Sequence, residues 1–173
     1  MKYKKRGGKT MDSLWAPWRK EYVQKAMNDQ DKDACVLCAA PNKEDLKKAL
    51  VLYKSQYNYI VMNLYPYNMG HIMIVPYRHI NSLDLLSEKE RNEHYMLVVR
   101  AVTILRKQYE CQGFNIGMNI GRSGGAGIEE HIHTHVVPRW NGDANFMPVI
   151  GCTKVMSETL FNAYDTLKKH FKE

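Results

Sequence analysis

The sequence predicts an α+β domain, and three observations predict it. Strand-like segments follow one another closely with no helix between most of them, which favours antiparallel pairing over the long crossovers a parallel sheet needs. Two longer stretches carry apolar residues at helical spacing. One run, His131-Ile132-His133-Thr134-His135-Val136-Val137-Pro138-Arg139-Trp140, holds a histidine at every second position. That is the period of an extended strand, whose alternate side chains share one face about 7 Å apart.

The elements follow in order. A chain of 173 residues is of single-domain size. Residues 1–11 carry Lys2, Lys4, Lys5, Arg6 and Lys9 and no acid, so they are expected to form a disordered basic arm, leaving 12–173 as one domain. Trp15, Trp18 and Tyr22 are too apolar to stand in water together and are expected to pack on the body or a partner. After a polar loop come the knuckle Cys35-Val36-Leu37-Cys38 and a short helical stretch around 43–48. Strands are expected at 49–53, 57–63 and 71–76, the last strongly apolar. Pro66 and Gly70 punctuate the loop before it. Ser87 with Glu90 three residues later is a capping box. It opens a helix to about Tyr109, with Tyr95, Val98, Val99, Val102 and Leu105 expected on the core face. Cys111-Gln112-Gly113 breaks that pattern, and 114–120 reads as a strand. A glycine-rich loop and the histidine strand complete the sheet. A last helix is expected from Ser157 to about Phe171, with Leu160, Tyr164, Leu167 and Phe171 on one side.

Composition bounds the function. The net charge of +7, from 25 basic and 18 acidic residues, suits a polyanion such as a nucleotide. Nucleic acid is the lesser expectation, because much of the excess sits in the arm. No apolar run reaches the length of a membrane span, and no secretory apolar segment follows the basic start, so a cytoplasmic protein is expected. Disulfides are not expected there among Cys35, Cys38, Cys111 and Cys152. The close pair Cys35/Cys38 reads as half a metal site, with two small buried residues as the alternative.

Histidine titrates near neutrality and ligates metals; three at period two mark a site. The loop Gly121-Arg122-Ser123-Gly124-Gly125-Ala126-Gly127 directly before them can turn backbone N–H groups toward phosphate. Glycine permits both the close approach and positive φ. Gly124, Gly125 and Gly127 are therefore candidate substrate contacts, and Ser123 adds a hydroxyl.

The histidine run resembles the signature of the histidine triad nucleotide-binding family, with Thr134 a polar residue at a usually apolar position. Leu14-Trp15-Ala16-Pro17-Trp18-Arg19 and the segment from Pro138 to Pro148 resemble the branch acting on diadenosine tetraphosphate. The resemblance covers about residues 12–171. It implies a five-stranded antiparallel sheet with two main helices, and a homodimer joining two sheets into one. It implies that His133 is a nucleophile forming an adenylyl intermediate, with His135 on the phosphate and His71 beside it. Asn119 is implied at the phosphate or leaving group, and Asn63 near the ribose. Ile60, Leu64 and Ile72 stand as adenine-pocket or core residues. His79 and His131 are implied to join Cys35 and Cys38 around a structural zinc. In a regular strand His131 would share a face with His133, so it must lie just before regular strand geometry begins. The expected function is cleavage of dinucleoside polyphosphates with phosphate as acceptor. The alternatives are a hydrolase of such compounds or of nucleoside phosphoramidates, and a non-catalytic nucleotide-binding module.

Overall fold

The computed structural model describes residues 35–143, 145 and 155–172. The arm 1–11, the tryptophan segment, the loop before Cys35 and Cys152 lie outside the described residues. Residues 35–143 and 156–172 belong to one compact unit, Asp33–Asp143 with Met156–Glu173.

Five strands form one antiparallel sheet: β1 (Val51–Lys54), β2 (Asn58–Met62), β3 (Ile72–Pro76), β4 (Gly113–Met118) and β5 (Thr134–Arg139), in the order β1-β2-β3-β5-β4. β2 and β3 are buried at every position, matching their near-continuous apolar sequence; Ile60 and Ile72 are core residues with no exposed surface. The histidine run enters the centre of the sheet. Thr134 pairs with Ile74 on one side and Met118 on the other.

Among the described residues three α-helices accompany the sheet: α1 (Val36–Ala39), α2 (Glu88–Tyr109) and α3 (Leu160–Lys168). α2 lies across β2, β3 and β5, and α3 packs on β1. The capping box at the start of α2 is complete: Ser87 N–H donates to Glu90 Oε2 (2.7 Å) and Glu90 N–H to Ser87 Oγ (3.4 Å). The core face of α2 differs from the expected stripe. Glu90, His94, Leu97, Val98, Ala101 and Leu105 are buried, whereas Tyr95 and Val99 are 69 % and 44 % exposed. The helix carries two apolar stripes, and only one can face the sheet. α3 starts at Leu160, three residues later than expected, because the Thr159 side chain accepts the Asn162 N–H and caps it there. Tyr164, Leu167 and Phe171 are buried as expected.

The short helix falls at the cysteine knuckle rather than at 43–48, where the chain makes a turn. Leu50 takes a left-handed conformation (φ 60°), a strained position for a branched side chain. Its buried side chain and the bonds from Leu50 N–H to Lys47 O and from Met62 N–H to Leu50 O hold it. That kink delays β1 to Val51.

Candidate active site and metal centre

The three histidines of the run serve three different partners. His131 and His133 precede the ladder, which begins at Thr134, so the expected break from strand geometry at His131 extends one histidine further. His133 Nδ1 lies 2.8 Å from the carbonyl of His131. A carbonyl only accepts, so Nδ1 carries the proton and the Nε2 lone pair is left for chemistry. Burial lowers the pKa of His133, which keeps the ring neutral near pH 7.

His71 lies immediately before β3 and is fully buried. The Tyr67 N–H donates to its Nδ1 (3.0 Å), so its proton sits on Nε2 and points at His135 Nδ1, 2.9 Å away. His135 in turn must carry its own proton on Nε2. The His133 and His135 rings lie 4.9 Å apart. One ring thus offers a lone pair and its neighbour an N–H donor, the combination that nucleophilic attack on a phosphoryl group requires. Gly70, with φ 69°, makes the turn into His71; a Cβ there would stand 2.8 Å from the Tyr109 ring, so only glycine fits.

Asn63 lies beside this group, with Nδ2 3.5 Å from His71 Nε2 and Oδ1 accepting the Tyr65 N–H (2.9 Å). Asn119 follows Met118, whose partner is Thr134, so the register brings it alongside His133. A Cβ at Gly124 would lie 4.0 Å from the Asn119 backbone, so the glycine loop meets Asn119. Ser123, Gly124, Gly125 and Gly127 are all exposed. The expectation of open N–H donors needs correction for part of this loop. The N–H groups of Gly124 and Ala126 donate to Gly121 O, and that of Gly125 to Arg122 O. The positive φ of Gly121 and Gly125 closes a compact turn rather than opening a cradle at those amides.

A second cluster is distinct in chemistry. Cys35, Cys38, His79 and His131 bring one donor atom each to within 4.8 Å of one another. Cys35 Sγ and Cys38 Sγ lie 3.3 and 3.4 Å from His131 Nδ1, and Cys38 Sγ lies 3.3 Å from His79 Nδ1. A zinc tetrahedron with ordinary Zn–S and Zn–N bonds has edges of roughly 3.3–3.8 Å, and these three distances match such edges. His131 is prepared for it: its Nε2–H donates to Pro76 O (2.8 Å), which turns the Nδ1 lone pair toward the thiols. Burial and the facing Cys35 thiol push the Cys38 thiol pKa up, a penalty that a divalent cation reverses. Arg78, beside His79, is clamped by Glu90 at 2.6 and 2.9 Å.

Two groups of residues were not found from sequence. Arg139 donates to both carboxylate oxygens of Asp143 (2.6 and 2.7 Å), and Asn68 donates to Asp143 (2.7 Å) and to Pro138 O (3.0 Å). The end of β5 and Asp143 beyond it therefore clamp the loop ahead of His71, and Arg139 is already paired. The other group runs from Thr134 into α2 through His94.

Buried neutral histidines make stability depend on pH. Burial lowers His71 to about 3 and His94 to about 4, against an ordinary value of 6.5. Below 6.5 the unfolded chain therefore binds protons that the folded chain refuses. This contribution is complete above pH 6.5 and is lost as pH falls toward 4, at up to about 1.4 kcal/mol per pH unit for each histidine. Urea melts between pH 7 and pH 5 should show a falling midpoint; a flat profile would mean that these rings are charged in the folded state.

The fold and the histidine arrangement define a class. The HIT domain family model matches residues 44–142, and the chain belongs to the HIT domain family. An "AP-4-A phosphorylase" of Mycobacterium tuberculosis is 38 % identical over 154 residues, covering 87 % of this chain and 79 % of the relative. A "Bis(5'-adenosyl)-triphosphatase" of Saccharomyces cerevisiae is 32 % identical over 91 residues, 52 % of this chain and 44 % of the relative. The crystal structure of a zinc-bound histidine triad family protein from Mycobacterium smegmatis has a TM-score of 0.62 at 20 % identity, covering 84 % of this chain and 94 % of that one; it shares the fold.

Proposed function

We propose that this chain is an enzyme cleaving dinucleoside polyphosphates such as diadenosine tetraphosphate by nucleotidyl transfer through His133. The observation that carries the reading is the tautomer set: a free Nε2 lone pair on His133 beside the Nε2–H that His71 imposes on His135. The 38 % identity to a protein named for phosphorolysis of this compound supports the substrate. In the first step His133 Nε2 attacks the α-phosphorus. An N–P bond forms, the bridging P–O bond breaks, and its electron pair leaves with ATP. A neutral imidazole approaches the anionic phosphate without charge repulsion, and one hard step becomes two. His135 donates to the phosphoryl oxygen as charge develops there. In the second step an oxygen of inorganic phosphate attacks the same phosphorus, the N–P bond breaks, and ADP leaves. Asn63 is assigned to the ribose, Asn119 to the phosphates, and Ser123 and Gly127, with Arg122, to the acceptor anion.

The acceptor is tested directly. With labelled inorganic phosphate, label should appear in ADP and phosphate should accelerate cleavage. AMP plus ATP at a phosphate-independent rate would make water the acceptor and the enzyme a hydrolase.

The same reading includes a structural zinc held by Cys35, Cys38, His79 and His131, with all four positions occupied by protein. Thiol ligands suit a reducing cytoplasm. It also includes a homodimer, supported by two features: β4 ends the described sheet as an edge strand with Ile116 exposed, and α2 turns Tyr95, Met96 and Val99 outward. Unpaired edges and apolar stripes of this kind call for cover. Among the described residues no helix is long and apolar enough to cross a membrane.

A further inference from the structure

We propose that His94, on α2, is a positioning residue for His133 and acts through the hydroxyl of Thr134. The inference rests on the assignment of His133 as nucleophile. Thr134 stands between His133 and His135, and only 4 % of it is exposed. A hydroxyl in such a place is costly unless bonded. Its Oγ1 lies 2.6 Å from His94 Nε2, and His94 Nδ1 lies 2.8 Å from Asn58 Oδ1. Asn58 Nδ2 donates to Glu93 Oε2 (2.9 Å) and to Glu90 O (3.2 Å).

Every proton in this chain has one possible direction. The Glu93 carboxylate accepts only, and it also takes the Ser55 hydroxyl (2.8 Å) and the N–H groups of Gln56 (3.0 Å) and Tyr57 (2.8 Å). The Asn58 amide nitrogen must therefore face it, which turns the Asn58 oxygen to His94. That oxygen fixes the His94 proton on Nδ1, and the Nε2 lone pair then accepts from Thr134. Burial lowers the His94 pKa to about 4, so the neutral ring that this polarity needs is the form present at neutral pH. No buried polar side-chain atom among the described residues is left without a partner.

The location gives the chain its use. Rungs of the sheet begin at Thr134, and just upstream the backbone is held by the Ile132 N–H donating to Ile80 O (2.7 Å). His133 sits between that bond and the first rung. Apolar packing of residue 134 would leave its rotation soft; a directional bond from α2 fixes it, and with it the neighbouring backbone that carries the nucleophile. The same chain fastens the β1–β2 turn to α2 and to β5, which is not β2's neighbour in the sheet. A valine at 134 would fill the space and leave His94 Nε2 buried without a donor.

The test compares the full chain with Thr134→Val, Thr134→Ser and the double variant Thr134→Val/His94→Leu. With diadenosine tetraphosphate, Thr134→Val should slow kcat about tenfold with KM within about twofold, a partial displacement on a scale where about 1 Å costs about a hundredfold. Serine, which keeps the hydroxyl, should restore kcat. In the double variant the Thr134–His94 bond is absent and the buried Asn58 Oδ1 also loses its donor, so melting temperature should stay below wild type and kcat should stay low. The side-chain nitrogen shifts of His133 supply a readout that needs no substrate. A single Nδ1–H tautomer is expected in wild type and Thr134→Ser, and a mixture in Thr134→Val. An unchanged His133 tautomer in Thr134→Val overturns the proposal, as does a double variant with full kcat. If the wild-type protein fails to turn over the nucleotide, the functional reading falls, and the tautomer comparison still decides the positioning role.

Discussion

Replacing His133 with alanine should abolish turnover of diadenosine tetraphosphate while nucleotide binding stays within a few-fold. The expectation follows from the division of labour in the site. In the proposed reaction only His133 makes and breaks a bond to phosphorus; His135, His71 and the asparagines contribute contacts that survive its loss. His133 Nδ1–H bonds to the His131 carbonyl and not to a neighbouring histidine, so truncation leaves the His71–His135 pair (2.9 Å) intact. Removing a nucleophile or acid–base group typically costs about a hundredfold or more. Equilibrium binding of the nucleotide by calorimetry, set beside initial rates, separates the two effects. A variant keeping more than about a tenth of wild-type rate would move the nucleophile elsewhere.

The second large effect concerns the cysteine pair. Purified protein should carry about one zinc per chain, and a Cys35→Ser/Cys38→Ser variant should lose it and melt lower. Metal binding is coupled to folding free energy, and for a chain of this size each kcal/mol lost lowers the melting point by about 2–4 °C. The knuckle has its own anchors, since Leu37 is buried and its carbonyl accepts the Tyr59 hydroxyl at 2.6 Å. The sheet should therefore persist in the variant. Turnover should fall along with stability, because His131 supplies both a proposed ligand atom and the carbonyl that bonds His133 Nδ1. Metal analysis by plasma emission after chelator-free purification settles the count. Metal-free protein with an unaltered melting curve would return the cysteines to packing roles.

Much of this was legible in sequence because the signals were local. The period-two histidines, the capping box at Ser87 and Glu90, and the Cys35/Cys38 pair each declare themselves within four or five residues. The joins between distant segments did not. His71 and His135 are 64 residues apart, and His131 and Cys35 are 96 apart; family resemblance brought them together, not spacing. On α2 the apolar pattern admitted two faces, and the choice depended on a sheet that the helix's own sequence does not contain. His94 looked like one polar residue in a long helix, and Thr134 like an imperfect match; their bond explains both. The amides of the glycine loop looked available for anions. Their partners, the Gly121 and Arg122 carbonyls, lie within five residues, close enough to have been considered.

Position 131 has a consequence for mutational tolerance. One residue belongs to the Cys/His cluster through its ring and to the proposed nucleophile, His133, through its backbone carbonyl, so the two centres cannot drift independently. A screen for clones that fail to retain metal and a screen for clones that fail to turn over nucleotide should converge on changes at this position. Substitutions at Cys35, Cys38 or His79 should register in the second screen although none of them touches substrate. If the proposed reading holds, the tolerated sequence space of the Cys/His cluster is set by catalysis as well as by folding.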